Sequence, residues 1–413
     1  MKHILLVVTA LWVGCGGAPE PVAQVPTPNT PQQAADAVPA IAALQGSRFD
    51  EAKSLATAIL VRDGHSSRAA AVRALVTYQA AGHAMITRVM AMLDEAETVK
   101  AFDHESGRQM WKTFLDQLDA VDRDLAIVSA DPTFSMELCL ACWEHDWNRN
   151  GQIDDRDRKL FEIEYDAKGE VIDQSDPARR PTFRFDVGDA DWARAMIAFQ
   201  RAAVQLILAY RWSELDKVLK LSLFGNQKLQ DRRLTIHLID PDRVKRAREL
   251  ILEGVGHADR CREAYLAETD DDREWVPSPT QVSHPIPLPM DAAIYATWAG
   301  ITGDVRRMMK SEEGLSLKEI VALIEPDLSR MVPDGYLDFG AMLREPTDIV
   351  VDVSDESETP KNAERILRGL FGHGYGTGMR PSPLVGRLRH MKEDLDRGAD
   401  RAEHKLRYLL WLN

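Results

Sequence analysis

The chain has 413 residues, a formal net charge of −14 at pH 7 and a mean hydropathy of −0.29. This acidity argues against a general affinity for nucleic acid, because such affinity needs a basic surface that displaces counterions. The length permits two domains or one large helical domain.

The first segment has the pattern of a secretory signal peptide. A basic start precedes an apolar run from Ile4 to Val13, which is too short to span a bilayer comfortably. The run ends in Val-Gly-Cys, which resembles the lipobox of bacterial lipoproteins, with Trp12 where that motif has Leu. The resemblance implies a lipoprotein signal peptide at residues 1–14 and a lipid anchor on Cys15 that holds the protein to a membrane. Ordinary cleavage after Ala18 is the alternative.

Residues 15–39 are rich in Pro, Ala, Thr and Gln, a composition that stays extended and has too little apolar content to pack. We therefore expect a tether between the anchor and the folded body. The protein is expected to be exported to the cell envelope, lipid-anchored at the outer membrane, or else periplasmic or secreted.

The region from Ala40 to Gly82 is predicted to be a helical hairpin. Apolar residues recur at helical spacing, and Asp63-Gly64 interrupts the pattern. The segment is similar to a single tetratricopeptide-like unit, although an ordinary antiparallel helix pair explains the pattern equally well. Two further helices are predicted over Met85–Lys100 and Ser106–Ser129, the second with an apolar stripe.

Residues 146–157 resemble the calcium loop of EF-hand proteins. Oxygen-bearing side chains occupy loop positions 1, 3, 5, 9 and 12, glycine occupies position 6, and an aliphatic residue occupies position 8. Calcium takes six to eight oxygen ligands, which such a loop supplies from carboxylates, amides and a backbone carbonyl. The resemblance implies Ca²⁺ as the ligand and a helix on each side, over Phe134–His145 and Asp155–Tyr165. The implied metal ligands are Asp146, Asn148, Asn150, Gln152, Asp154 and Asp157.

The loop departs from the usual EF-hand in three ways. It closes with Asp157 instead of a longer Glu, as in dockerins, and Arg158 at position 13 stands where both families usually have an apolar residue. No second loop of this quality accompanies it. With few matched carboxylates, we expect a dissociation constant of roughly 10⁻⁵ to 10⁻³ M and a structural use of calcium. The alternative is a solvated turn without metal, because Asn, Asp and Gly favour turns in any case.

Three cysteines remain if Cys15 is lipidated. Cys139 and Cys142 form a C-x-x-C pair, His145 follows three residues later, and Cys261 is distant. In an exported protein the first expectation is a disulfide among these cysteines. Either Cys139 or Cys142 could bridge to Cys261, and the pairing is left open. Buried free thiols are the second interpretation, and a zinc site with His145 is the third.

The later elements are mostly helical. The only strand-like signals are at Ile163–Tyr165, Gly169–Ile172 and Thr182–Asp186, and Asp186, Asp189 and Asp191 are expected to cap the helix that begins there. A Pro-rich connector over residues 276–289 is the best internal boundary, between a helical domain at 40–275 and a helical region at 290–413. The predicted helices are Ala190–Leu223, Asp242–Ala267, Asp291–Ala299, Gly303–Lys310, Ser316–Ile324, Lys361–Phe371 and Leu384–Leu412.

Catalytic signatures are missing from the sequence, which has no zinc-protease, nucleophile-elbow, Walker or dinucleotide motif. The glycine-rich run Gly369–Gly378 is interpreted as a mobile loop. We therefore expect a mainly α fold, a multi-helix bundle or an irregular α-solenoid, with one EF-hand-like helix-loop-helix and at most a short β-hairpin. The expected function is a calcium-binding lipoprotein that acts as a binding or scaffold protein. The alternative is a metal-dependent hydrolase that uses Cys139, Cys142 and His145, or the loop aspartates.

Overall fold

The structure, a computed structural model, describes residues 31–99, 103–146, 152–158, 161–166, 170–215, 233–269, 273–281, 290–324, 334–352, 360–376 and 378–395. The fold is mainly α-helical with short strands, which confirms the predicted class. Among these residues the helices are α1 (Pro31–Asp36), α2 (Val38–Gln45), α3 (Phe49–Arg62), α4 (Ser67–Val99), α5 (His104–Ser129), α6 (Asp155–Arg158), α7 (Val187–Ala209), α8 (Pro241–Ala267), α9 (Ala292–Met309), α10 (Leu317–Ile324), α11 (Phe339–Arg344), α12 (Pro360–Phe371) and α13 (Leu384–Leu395).

The strands are short and fall into three small antiparallel sheets. β1 pairs with β2, β4 lies between β3 and β7, and β6 lies between β5 and β8. Their bounds are β1 (Ser135–Leu138), β2 (Phe183–Asp186), β3 (Tyr210–Arg211), β4 (Arg233–Leu238), β5 (Leu315–Ser316), β6 (Tyr336–Leu337), β7 (Ile349–Asp352) and β8 (Tyr375–Gly376). The expectation of at most one hairpin is therefore wrong, because these strands pair with segments far away in the sequence.

Helices α7 and α8 make the most extensive helix–helix contact among the described elements. A Cβ atom added at Gly188 of α7 would lie 2.9 Å from Cε1 of Tyr265. A Cβ atom added at Gly254 of α8 would lie 2.5 Å from Cε1 of Phe199. At both positions an aromatic ring of the opposite helix fills the space that a larger side chain would need, so the close contact requires glycine.

The N-terminal helices differ in detail from the predicted hairpin. Its first apolar segment is broken into α2 and α3 at Gly46, and Ser47 adopts a φ of 58° at this break. The predicted helices on either side of Gly82 form one continuous helix, α4. A single glycine costs only about 1 kcal/mol in a helix, so α4 can continue through it.

The segment before the calcium loop is not the predicted helix over Phe134–His145. It forms β1 and then a 3₁₀ turn over Leu140–Cys142. Met136 and Leu138 are buried while Glu137 is exposed, which is the alternation of a strand with one face on the core. After the loop, helical structure is described only over Asp155–Arg158, not to Tyr165. The predicted helix-loop-helix is thus wrong at its first helix.

Other predicted boundaries also change. The helix predicted to reach Leu223 ends at Ala209, and two predicted short helices are the single helix α9. The glycine-rich run is folded, since it ends α12, forms a 3₁₀ turn over Gly372–Gly374 and continues into β8. The last predicted helix is described to Leu395, and residues 396–413 lie outside the described part.

Two main groups of buried apolar residues form the core. One gathers α2 to α4, the β1–β2 pair and the start of α9, and the other gathers α9, α11, α13 and the β5–β6–β8 sheet. Helix α8 contributes Tyr265 to the first group and Val244 to the second. None of the helices in the described ranges is long and apolar enough to cross a membrane. The predicted boundary at residues 276–289 stays a prediction.

We predict that Gly254→Ala lowers the free energy of unfolding by about 1–3 kcal/mol, because the new methyl group overlaps the ring of Phe199. The matched control is Gly256→Ala on the same helix, where the nearest neighbour of an added Cβ is Nη1 of Arg260 at 3.8 Å. This control should be about 0.5–1 kcal/mol more stable than the parent, since alanine favours a helix over glycine. Urea unfolding of the three proteins tests this, and equal stability of the two variants would refute the close contact.

Candidate functional site

The calcium-loop residues are described at the two ends of the loop. Asn148 and Asn150 lie outside the described residues. Asp154 directly precedes α6, and its backbone N–H donates a hydrogen bond to Oδ2 of Asp157 at 3.0 Å. Asp157 is 3% exposed, whereas Gln152 is exposed. The carboxylate of Asp157 therefore reaches back over the first turn of α6 toward the start of the helix.

Aromatic contacts hold both flanks of the loop against α3. Trp143, just before the loop, packs edge-on against Phe49 at 5.6 Å between ring centroids. Phe161, just after the loop, packs edge-on against the same Trp143 at 6.0 Å. His145 also packs against Phe49, at 4.9 Å. The chain thus enters and leaves the loop region from one apolar cluster, which limits how far the two ends of the loop can separate.

The structure contains a disulfide between the two nearby cysteines. Cys139 and Cys142 are bonded to each other, with their Cα atoms 5.3 Å apart. Cys261 is a buried free thiol on α8, so the alternative of a bridge to Cys261 is wrong. The 3₁₀ turn brings the two nearby cysteines together, whereas a helix was assumed. The zinc interpretation also fails, because the sulfurs of a disulfide are not thiolates and cannot act as the expected ligands.

A second site lies at the contact of α7 and α8, where three acidic side chains come together. Oxygen atoms of Asp186, Glu268 and Glu274 all lie within 4.8 Å of one another, a spacing that can hold a cation. We call these three residues with Asp189 the carboxylate cluster. The backbone N–H of Arg184 in β2 donates to the carbonyl oxygen of Arg273 at 3.2 Å, which places Glu274 beside the end of that strand.

Helix capping positions two members of the carboxylate cluster. Oδ1 of Asp186 accepts a hydrogen bond from the backbone N–H of Gly188 at 2.6 Å, and the backbone N–H of Asp186 donates to Oδ2 of Asp189 at 2.8 Å. This is a capping box at the start of α7, which confirms the predicted capping role of these two residues. The same prediction is wrong for Asp191, whose carboxylate bonds to His257. Asp189 also accepts a hydrogen bond from the hydroxyl of Tyr265 at 2.6 Å, which ties the cap to α8.

The surroundings of the carboxylate cluster are apolar and aromatic. Trp275 is fully buried and packs against Phe185 at 6.0 Å and against Trp192 at 6.4 Å. Trp298 packs against Tyr265 at 6.5 Å. Among the described lysines and arginines, none forms an ion pair with Asp186, Asp189 or Glu268. Negative charge on Asp186, Asp189 and Glu268 is therefore poorly solvated, and no lysine or arginine within the described ranges pairs with these three residues.

These surroundings change the acidity of the cluster. Burial raises the pKa of Glu268 to about 9, with further contributions from a hydrogen bond with Asp186 and from the nearby negative charges. Burial also raises the pKa of Asp189 well above its ordinary value, and the charge of Asp186 adds to the shift. The amide side chain of Gln281 donates to Oε2 of Glu268 at 3.3 Å. A proton on Glu268 lowers the repulsion within the carboxylate cluster.

A histidine with an acidic partner lies elsewhere on the same helix pair. Nδ1 of His257 lies 2.7 Å from Oδ1 of Asp191, and His257 is 2% exposed. Burial lowers the pKa of His257, while the bond to Asp191 opposes this shift. His257 is therefore a buried residue of the core.

The sequence predicted the caps but not the carboxylate cluster. Asp186 and Asp189 belong to a recognisable helix start, whereas Glu268 and Glu274 follow much later in the chain at no motif spacing. Comparisons with models of protein families, with curated proteins and with solved structures found no match to this chain. Function must therefore be inferred from the chemistry of these residues.

We predict that Glu268→Gln makes stability less dependent on pH. In the folded protein the pKa of Glu268 is about 9, against an ordinary value of 4.5. Its proton therefore stabilises the fold fully below about pH 4.5, and this contribution is lost as the pH rises through about 9. Glutamine resembles the protonated acid, so the variant should gain stability relative to the parent between pH 5 and pH 9. Chemical unfolding at several pH values measures this difference.

The control for this experiment is Glu263→Gln on the same helix. The side chain of Glu263 is 68% exposed and lies outside the carboxylate cluster. This variant should show no comparable trend with pH. A constant difference between Glu268→Gln and the parent across the range would contradict the raised pKa.

Proposed function

We propose that the protein is a calcium-binding lipoprotein exported to the cell envelope, where bound calcium stabilises a helical body that acts as a binding or scaffold protein. The observation that carries this proposal is the pattern of residues 146–157. It combines oxygen ligands at alternate positions with the glycine and the aliphatic residue that an EF-hand loop needs. Chance turns seldom meet all of these requirements.

The described ends of the loop support a structural use of the metal. Asp154 and Asp157 occupy loop positions 9 and 12, and the first turn of α6 keeps them close together. The packing of Trp143 against Phe161 limits the separation of the loop ends. A cation that joined the two halves of the loop would therefore bind the folded chain better than the unfolded chain, and binding of this kind stabilises the fold.

The disulfide supports the proposed compartment. Cys139 and Cys142 are bonded to each other four residues before the loop begins at Asp146. Disulfides persist in exported proteins and are rare in a reducing cytosol. The same bond counts against the rival hydrolase with a Cys139, Cys142 and His145 metal site. No observation favours the version of that enzyme that uses the loop aspartates.

We predict that calcium raises the melting temperature of the folded domain, with a dissociation constant of roughly 10⁻⁵ to 10⁻³ M. At a hundredfold excess over that constant the gain in unfolding free energy should be about 2.7 kcal/mol. Asp146→Ala removes the ligand at position 1 and should weaken binding at least tenfold. Asp155→Ala removes an equal charge at position 10, which supplies no ligand, and should respond to calcium like the parent. Calorimetry and thermal unfolding measure both quantities.

Two results would count against the calcium proposal. One is a melting temperature of the parent that stays constant across calcium concentrations. The other is an equal calcium response of Asp146→Ala and the parent. Magnesium should be much less effective than calcium at the same concentration, because it demands near-ideal octahedral geometry from its ligands.

We also predict that Cys15→Ser releases the protein from membranes. The acyl chains of a lipoprotein stabilise attachment by about 0.8 kcal/mol for each buried CH₂ group. In a bacterial host that processes lipoproteins, the parent should take up labelled fatty acid and sediment with membranes, and the variant should do neither. Gly17→Ala is the control and should behave like the parent. Membrane sedimentation of Cys15→Ser at the parental level would refute the anchor.

A further inference from the structure

A cavity of about 90 Å³ lies between α4, α5, α7 and the β1–β2 pair. Most of its wall is apolar, and side chains from each of these elements contribute to it, including Ala74, Leu125, Ile197, Met136 and Phe185. The cavity is therefore shaped by five separate elements of the fold. It is not a gap beside a single loop.

The polar residues in the wall of the cavity are Tyr78, Asp186 and Asp189. The hydroxyl of Tyr78 already accepts a hydrogen bond from Nε2 of Gln200 at 2.7 Å. The two acidic residues belong to the carboxylate cluster, and no described lysine or arginine pairs with either of them. One part of an apolar cavity thus carries acidic groups that no basic side chain in the described part of the chain neutralises.

The cavity has an edge that solvent can reach. Ala74 and Ala190 are buried, whereas Leu75, Ala193 and Asp186 are partly exposed. Asp186 therefore lies at the edge of the cavity that solvent reaches.

We propose that this cavity binds a small organic cation, a primary ammonium compound with a short branched hydrocarbon group. The hydrocarbon group fills the apolar part, and the ammonium group lies against the carboxylate of Asp186. A cavity of about 150 Å³ holds a benzene molecule, so a smaller one suits a hydrocarbon group of about four carbons. The proposal is independent of the calcium loop.

The apolar part and the acidic part of the cavity wall together favour a ligand of this chemical class. An organic anion would meet the charge of the carboxylate cluster, and a neutral hydrocarbon would leave that charge without a partner. A metal ion would bind the carboxylates and gain nothing from the apolar wall. An ammonium group with an alkyl chain gains from both, because it pairs with a carboxylate in a site of low polarity and removes apolar surface from water.

The test compares three probes of similar shape on the full chain: isobutylammonium chloride, isobutanol and sodium isobutyrate. Binding is followed by calorimetry and by NMR shifts of the methyl groups that line the cavity. We expect saturable binding of isobutylammonium with an affinity at least tenfold higher than that of isobutanol, and no binding of isobutyrate. This comparison needs no variant and so does not depend on the folding of one. Equal binding of the ammonium compound and the alcohol would overturn the proposal.

Two variants locate the bound cation. Asp186→Asn keeps a good N-cap residue at the start of α7 and removes the charge, so it should bind isobutylammonium at least tenfold more weakly. Glu137→Gln removes an equal charge from the exposed face of β1 and should bind like the parent. Equal loss of affinity in both variants would show general attraction to an acidic protein, and unchanged affinity in Asp186→Asn would exclude the cavity. Either result would overturn the proposal.

Discussion

Helices α7 and α8 can lie against each other because glycine occupies the positions where each meets an aromatic ring of the other. Gly188 faces Tyr265 and Gly254 faces Phe199, so the two contacts fix both the separation and the relative position of the helices. The start of α7 is thereby placed beside the end of α8. The carboxylate cluster, the aromatic residues around it and the wall of the cavity all depend on this alignment.

The alignment has an electrostatic cost, because it brings acidic groups from three parts of the chain into an apolar region. The capping box provides hydrogen-bond partners for backbone N–H groups at the start of α7, and the hydroxyl of Tyr265 donates a hydrogen bond to one oxygen of Asp189. These hydrogen bonds place the carboxyl groups but supply no positive charge. Burial raises the pKa of Glu268 to about 9, so Glu268 can hold a proton. That proton lowers the repulsion among the acidic groups.

The long helices could be predicted from the sequence, whereas the features that join them could not. Asp240-Pro241 marks the start of α8, and the cap at Asp186 marks the start of α7, because both are local signals. A two-residue strand such as Tyr336–Leu337 has no pattern of its own and forms only when its neighbours are in place. The carboxylate cluster likewise joins residues that are distant in sequence. The pairing of the cysteines could not be predicted, because it depends on the strand and tight turn that replace the expected helix.

Cys261 lies near the end of α8, fully buried, and its burial raises the pKa of the thiol well above the ordinary value. Both conditions protect a thiol from alkylating reagents, since the reactive species is the thiolate and the reagent must also reach it. Among the described cysteines it is the free one. Its rate of alkylation therefore reports how often the core around the end of α8 opens to solvent.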